Sequence, residues 1–505
     1  MNITLQSLTL DDDYVTIIPG SLPETLTRLN LGEKYNSKLE HGTLPSSITS
    51  LDLGYDFNHG IEPGTLPESL TELVFSLSFD KMLPIGSLPN HLVILMFHTH
   101  FDQPIVPGSL PDSIAHISFG KYFDQPLVPG MLPSSLTELI FGKRFDQPLV
   151  PGSLPFSLIY LEFGKQFSQE IVHGVLGNKL KALILGDHFA DLITPGLLPN
   201  SLIELNAGNS PLTATPGVLP PSILYLKMAG VDEGYKQIAP LSPQALPPTL
   251  TSLCLGDGHT AKLLPGVLPQ TLRLLAFHYF SNFNQDIEPG VLPPSLTTLE
   301  FGQSFNKCIK PGVLPASLLN LTFGYNYQTM IPVGVLPNAL TDLDLGQMFD
   351  HPLPAGTLPA SLKHLVLGIE FMVDVGKVVL PPNLNTLFLS SLDHLYYCDA
   401  IVGESLKEVH INVSWEDLIE SSTPFKRRLD HLYISVDFFV KPKNMDNNTI
   451  CLKIFSLVSR LFPNVNTYHL DLSRNDQQLH CSFRHINQSM ILSLLPNNKM
   501  YIVNV

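Results

Sequence analysis

Carboxylates and tyrosines recur along this chain beside a repeated leucine. Glu72, His116, Glu138, Tyr160, Glu162, Glu204, Tyr225, Glu300, Asp342 and Asp344 each stand next to the second apolar residue of a Leu-x-x-Leu-x-Phe motif or a close variant of it. In a strand, alternate side chains point to opposite faces, so these residues are expected outward when the leucines are inward. Neighbouring strands lie about 4.8 Å apart. The carboxylates are therefore expected on adjacent strands as an acidic strip with tyrosines, a contact surface for a basic protein.

Rows of carboxylates also raise hydrolytic chemistry. Right-handed β-helices that cleave acidic polysaccharides carry Asp with Arg or Lys on one sheet. No basic residue stands beside an aspartate cluster in this sequence, and each copy of the motif offers one clear strand where such coils need three. A β-helix-type carbohydrate-active enzyme is thus a second alternative, and no catalytic residue is assigned. The chain has no HExxH and no nucleophile elbow. Gly120-Lys121, Gly142-Lys143 and Gly164-Lys165 lack the upstream glycine and the following Ser/Thr of a phosphate loop, and read as repeat turns. The aspartates that follow the aromatics lack the Gly-Gly-x-Gly-x-Asp spacing of calcium-binding repeats. The eighteen histidines are scattered. No metal and no cofactor is expected.

The elements that would position these side chains come from self-comparison. Gly-x-Leu-Pro recurs from Gly20 to Gly196 at steps of 22 residues, and continues at Gly217, Gly266, Gly290, Gly312, Gly334 and Gly356. Gln244 and Val378 replace the glycine in two weaker copies, making seventeen. Leu139 and Phe141 are expected to be buried, with Glu138 and Ile140 on the other face. Gly142, after the strand, is expected to free a turn with positive φ. Leu-Pro breaks any helix. The aspartates or asparagines after the aromatics (Asp124, Asp146, Asn306) are expected to bond nearby turn amides. The aromatics themselves (Phe101, Phe123, Phe145, Phe305) would plug the layers between coils. The implied fold is mostly β, a leucine-rich-repeat-like solenoid (horseshoe) with one parallel sheet on the concave face and turns and short 3₁₀ segments on the convex face. One unit cannot bury enough surface alone, so stability is collective between neighbours.

The strings Phe283-Asn284-Gln285-Asp286-Ile287, Phe101-Asp102-Gln103-Pro104-Ile105 and Phe305-Asn306 resemble FNIP (IP22) repeats. These are an irregular leucine-rich type found in social amoebae and giant amoebal viruses. The resemblance covers roughly residues 1–390. It implies a protein–protein interaction scaffold and supplies no catalytic residue. Asp80, Asp102, Asp124, Asp146 and Asp350 stand where the family name has Asn. The repeats begin at Leu5-x-x-Leu8-x-Leu10, leaving no room for the F-box that many members carry, so a plain repeat protein is expected.

Residues 1–390 are read as the solenoid and residues 391–505 as longer degenerate repeats forming a C-terminal cap. That cap contains a short helix near 450–462, with Ile454, Leu457, Val458 and Leu461 at helical spacing. Insertions near 231–236 and 278–280 would leave through rim loops, where specificity often lies. Lys426-Arg427-Arg428, with Lys453 and Arg460, makes the cap basic and apolar. A calmodulin-type partner is the alternative this raises, against a purely structural cap. With only four residues ahead of Leu5, the first strand is expected to be covered by a partner or a homodimer.

The 505 residues carry a net charge of −16, which disfavours binding to nucleic acid or anionic lipid. Cys254, Cys308, Cys398, Cys451 and Cys481 are odd in number and unpaired in spacing, as in a reducing compartment. No signal peptide or membrane-spanning run is seen, and a cytoplasmic location is expected.

Overall fold

The computed structural model describes residues 5–10, 16–210, 216–228, 240–371, 379–389 and 405–414. Further on it describes 418, 425, 428–437, 454, 457–474, 477–486, 489–494 and 499–504, with the backbone alone from residue 471. The chain forms two compact units, Met1–His259 and Thr260–Val505.

Each 22-residue copy supplies one short strand. The first unit holds β1 (Ser7–Thr9), β2 (Arg28–Asn30), β3 (Ser50–Asp52), β4 (Glu72–Val74), β5 (Ile94–Met96) and β6 (His116–Ser118). It continues with β7 (Glu138–Ile140), β8 (Tyr160–Glu162), β9 (Ala182–Ile184), β10 (Glu204–Asn206), β11 (Tyr225–Lys227) and β12 (Ser252–Leu255). Each pairs in parallel with the next, central leucine opposite central leucine or isoleucine. The second unit holds β13 (Leu274–Phe277), β14 (Thr298–Glu300), β15 (Asn320–Thr322), β16 (Asp342–Asp344), β17 (His364–Val366) and β18 (Thr386–Leu389). The longer β19 (Glu408–Ser414), β20 (Leu429–Asp437) and β21 (Val465–Arg474) follow. These nine also pair in parallel and in sequence order. One strand per coil is a leucine-rich-repeat-like solenoid, and removes the three-sheet β-helix alternative.

The core is a set of side-chain columns, one member per coil. Leu139 is fully buried and Phe141 is nearly so, while Glu138 and Ile140 are half-exposed. Two columns of rings run along the stack. Phe119 and Phe123 stack within a coil at 3.9 Å between centroids, and Phe123 stacks on Phe145 of the next coil at 6.1 Å. The second unit repeats this with Phe301, Phe305, Phe323 and Tyr327. Repetition at 22 residues is what lets rings of one size meet face to face in every layer.

Polar side chains tie the layers at fixed motif positions. The serine of Ser-Leu donates its hydroxyl to a backbone carbonyl one coil earlier: Ser113 to Leu92, Ser135 to Ile114 and Ser157 to Leu136, at 2.6–2.7 Å. The Asp or Asn after the aromatic does not close its own turn, as the sequence suggests. Its Oδ1 accepts the backbone N–H of the equivalent residue one coil later, in a ladder through Asn36, Asn58, Asp80, Asp102, Asp124, Asp146 and Ser168.

The glycines divide by role, and one expectation is corrected. The Gly-x-Leu-Pro glycine takes the left-handed conformation, as at Gly130 with φ of 85°. Gly142, after the strand, does not take a positive φ. It is glycine because a Cβ there would lie 1.7 Å from the carbonyl oxygen of Gly120 in the previous coil. Between strands the backbone makes single turns, such as Leu136 N–H to the Pro133 carbonyl at 3.2 Å.

The C-terminal part departs from a simple run of longer repeats. After β21 the chain turns back on itself through β22 (Gln477–Ile486), β23 (Ser489–Leu494) and β24 (Lys499–Asn504), all antiparallel. Residues 454 and 457–461 are helical. Ile454, Val458 and Leu461 on that segment are fully buried. Apolar side chains packed in this way serve the cap, and a calmodulin-type partner would have to extract them. Lys426, Arg427, Lys453 and the insertion at 231–236 lie outside the described residues.

Candidate functional site

Every outward residue named from the sequence does flank a buried central residue on its strand. Glu72, His116, Glu138, Tyr160, Glu162, Asp342 and Asp344 are half-exposed, and Glu204, Tyr225 and Glu300 are exposed. They do not form one acidic strip on adjacent strands. In the first unit Glu72 lies beside Ile94, and Ile94 separates it from His116. Ala182 lies between Tyr160 and Glu204, and Ile184 between Glu162 and Asn206. Met96 on this face is 40% exposed. The strip is interrupted because outward positions of the repeat are free to vary while inward ones are not.

Within the first unit the acidic cluster is confined to β7, β8 and β10. His116 Nδ1 lies 2.9 Å from Glu138 Oε2. The Tyr160 hydroxyl donates to Glu162 Oε2 at 2.6 Å. Burial, then that bond and the charges of Glu162, Glu204 and Glu138, hold the Tyr160 phenol well above its ordinary pKa. The tyrosine therefore stays a neutral donor and the carboxylates stay acceptors.

The second unit builds a deeper feature. A recess of about 560 Å³ opens on the outward face of β14–β19. Glu300, Asp342, Asp344 and Glu408 line it with His364 and His410, and no lysine or arginine does. Asp342 Oδ1 meets His364 Nδ1 at 2.5 Å, and Glu408 Oε1 meets His410 Nε2 at 2.9 Å. Asp344 accepts the Gly346 N–H at 2.8 Å. Burial raises the Asp344 pKa, and that backbone bond lowers it by less. Next to the recess, Phe388, His410, Tyr433 and His469 stack in one row at 4.1, 4.2 and 4.2 Å between centroids. Burial, His431 and His410 depress the His469 pKa against the opposing effect of Glu408.

Glu408, His410, Tyr433 and His469 were not singled out from the sequence, although the motifs Leu406-x-x-Val409-x-Ile411 and Leu429-x-x-Leu432-x-Ile434 carried the signal. The rule that picks Glu138 picks Glu408 and His410 too; the fading of the 22-residue period hid them. Among the described residues no group of three or more His, Cys, Asp and Glu could hold a metal ion. Cys254 is half-buried and Cys308 exposed, both free thiols. No helix among the described residues is long and apolar enough to cross a membrane.

The model of the FNIP repeat matches this chain at residues 15–56, 57–100, 101–144, 123–166, 145–188, 167–210, 239–280, 283–326, 312–348, 325–368 and 349–391, which is more than half its length. The chain belongs to the FNIP repeat family. Its FNIP copies are similar to a solved structure described as CroV588, a novel circular LRR protein. That match has 29% identity and a TM-score of 0.57, and covers 92% of this chain and 76% of that one. An internalin (InlF) from Listeria monocytogenes matches at 13% identity over 72% of this chain and 82% of that one; its TM-score of 0.24 carries no argument. A curated relative, a probable serine/threonine-protein kinase fnkA from Dictyostelium discoideum, is 38% identical over 63 residues. The match is 12% of this FNIP chain and 8% of that protein. The chain thus spans less than a tenth of the kinase-named relative.

Proposed function

We propose that this FNIP protein is a non-catalytic scaffold that seats a basic protein partner on the outward face of its strands, chiefly in the recess of the second unit. The observation that carries this reading is the four-carboxylate lining of that recess, free of Lys and Arg. Charge of one sign in a concave, partly desolvated site focuses its field on an oppositely charged partner. The β7–β10 cluster of the first unit supplies a second acidic contact. The family membership supports a scaffold, and kinase chemistry is not carried over from a relative matched along 63 residues.

A fluorescently labelled hexa-lysine peptide tests this with the full chain, by anisotropy over a range of salt. Binding should weaken as salt rises. Glu300→Gln with Asp342→Asn and Asp344→Asn should remove most of it. The triple change Glu138→Gln, Glu162→Gln, Glu204→Gln should cost less. Binding that ignores salt, or survives the first triple change intact, would refute the reading.

A further inference from the structure

Along the third position of the strands, the register of the second unit sets Glu300, Thr322, Asp344, Val366, Phe388, His410, Tyr433 and His469 side by side. The row is half acidic and half aromatic. Its aromatic half is a stack with interplanar angles of 20°, 1° and 9°. Each ring in such a stack covers the face of the next, so His410 and Tyr433 offer edges to a ligand. Phe388 is the end ring. His410 covers one of its faces, and the other turns toward Val366, a small side chain on the recess lining.

On the far side of Val366 stands Asp344. Two rungs, about 10 Å, separate it from Phe388. Asp342 and Glu408 are already engaged by His364 and His410, whereas Asp344 has no ion pair among the described residues. The recess therefore has an open aromatic face at one end, a half-buried carboxylate at the other, and a gap one planar group wide.

We infer that this gap is a slot for an arginine side chain of the partner. The proposal rests on the reading of the recess as a seat for a basic protein. A guanidinium is flat, weakly hydrated and always charged, and can lay its face on a ring while its edge donates two parallel N–H bonds to a carboxylate. The stacked face is Phe388 and the acceptor is Asp344, with Glu300 at the mouth. An ammonium has the charge but not the plane, and gives up more hydration to enter a half-buried site.

The test compares labelled hexa-arginine and hexa-lysine peptides on the full chain at one salt concentration. The arginine peptide should bind about tenfold more tightly, within the range of a desolvated cation–π contact plus a bidentate pair. Phe388→Leu keeps an apolar side chain and removes the ring; it should erase the preference while leaving hexa-lysine binding unchanged. Asp344→Asn keeps the acceptor for the Gly346 N–H and should weaken hexa-arginine more than hexa-lysine. Equal affinities in the unaltered protein, or a preference that survives Phe388→Leu, would overturn the slot and leave the basic-partner reading standing. Absence of salt-sensitive binding by either peptide would overturn both.

Discussion

The backbone N–H of Asp124 donates to Oδ1 of Asp102, one coil earlier in the stack, at 2.9 Å. The same oxygen accepts the side-chain amide of Gln125 at 2.9 Å. One carboxylate thus holds two groups of the next layer, and the negative charge itself is not needed for either bond. Asp102→Ala should destabilise the chain by about 1–3 kcal/mol, the cost of leaving a part-buried donor unpaired. Asp102→Asn keeps the acceptor and removes like-charge crowding with Asp80 and Asp124, so it should be neutral or stabilising. Urea melts of the two variants check this. Equal losses for Ala and Asn would show that charge, not hydrogen bonding, holds the ladder.

That ladder also marks how far the sequence could be read. Strand positions were plain from Leu-x-x-Leu-x-Phe, since burial of Leu139 and Phe141 follows from alternation alone. The partner of Asp102 was not, because a turn-forming Asp bonds its own turn in most contexts. Only the stacking of identical coils brings Asp124 within reach. Gly142 was misassigned for the same reason: its constraint is the Gly120 carbonyl one layer away, which no local pattern shows. Outward residues such as Ile94 and Ala182 broke the expected strip because the core does not constrain them. The antiparallel strands β22–β24 follow no 22-residue period, and so lay beyond a reading built on that period.

Gln244 stands where other copies have the Gly-x-Leu-Pro glycine, and it adopts the same left-handed backbone with φ of 68°. An L-residue with a Cβ is strained there, at a cost of about 1–2 kcal/mol. Gln244→Gly should raise stability by about 1 kcal/mol, after allowing for the greater chain entropy of glycine. The reading is the unfolding midpoint in urea at unchanged slope. A lowered midpoint would mean that the glutamine side chain contributes more than the strain removes.

Tyr327 occupies the ring column of the second unit, stacked on Phe305 and Phe349 at 6.1 Å each. Its hydroxyl is buried and has no hydrogen-bond partner among the described residues. Burial, and to a smaller extent Cys308, hold its pKa well above the ordinary phenol range. A phenylalanine would keep the ring contacts and remove the unsatisfied oxygen. Tyr327→Phe should therefore stabilise the chain by about 1 kcal/mol or more. Thermal and urea unfolding measure it, and a loss of stability would reveal a bonding partner for the hydroxyl.

His259 fills the ring-column position of its coil, three residues after Gly256, and is fully buried. Burial lowers its pKa from 6.5 to about 4. A histidine whose folded pKa lies below its unfolded one binds a proton more readily in the unfolded chain. Stability from this site is thus lost as pH falls through about 6.5, and the loss is complete below about 4. The full difference corresponds to about 3 kcal/mol. Other groups titrate in the same range, so the informative quantity is a difference between two proteins. Denaturation of the unaltered chain and of His259→Phe, which restores the ring without a titrating group, should give curves that run parallel above pH 6.5 and diverge below it. The unaltered chain should be the one that weakens. Curves that stay parallel down to pH 4 would show that His259 is reached by protons in the folded state.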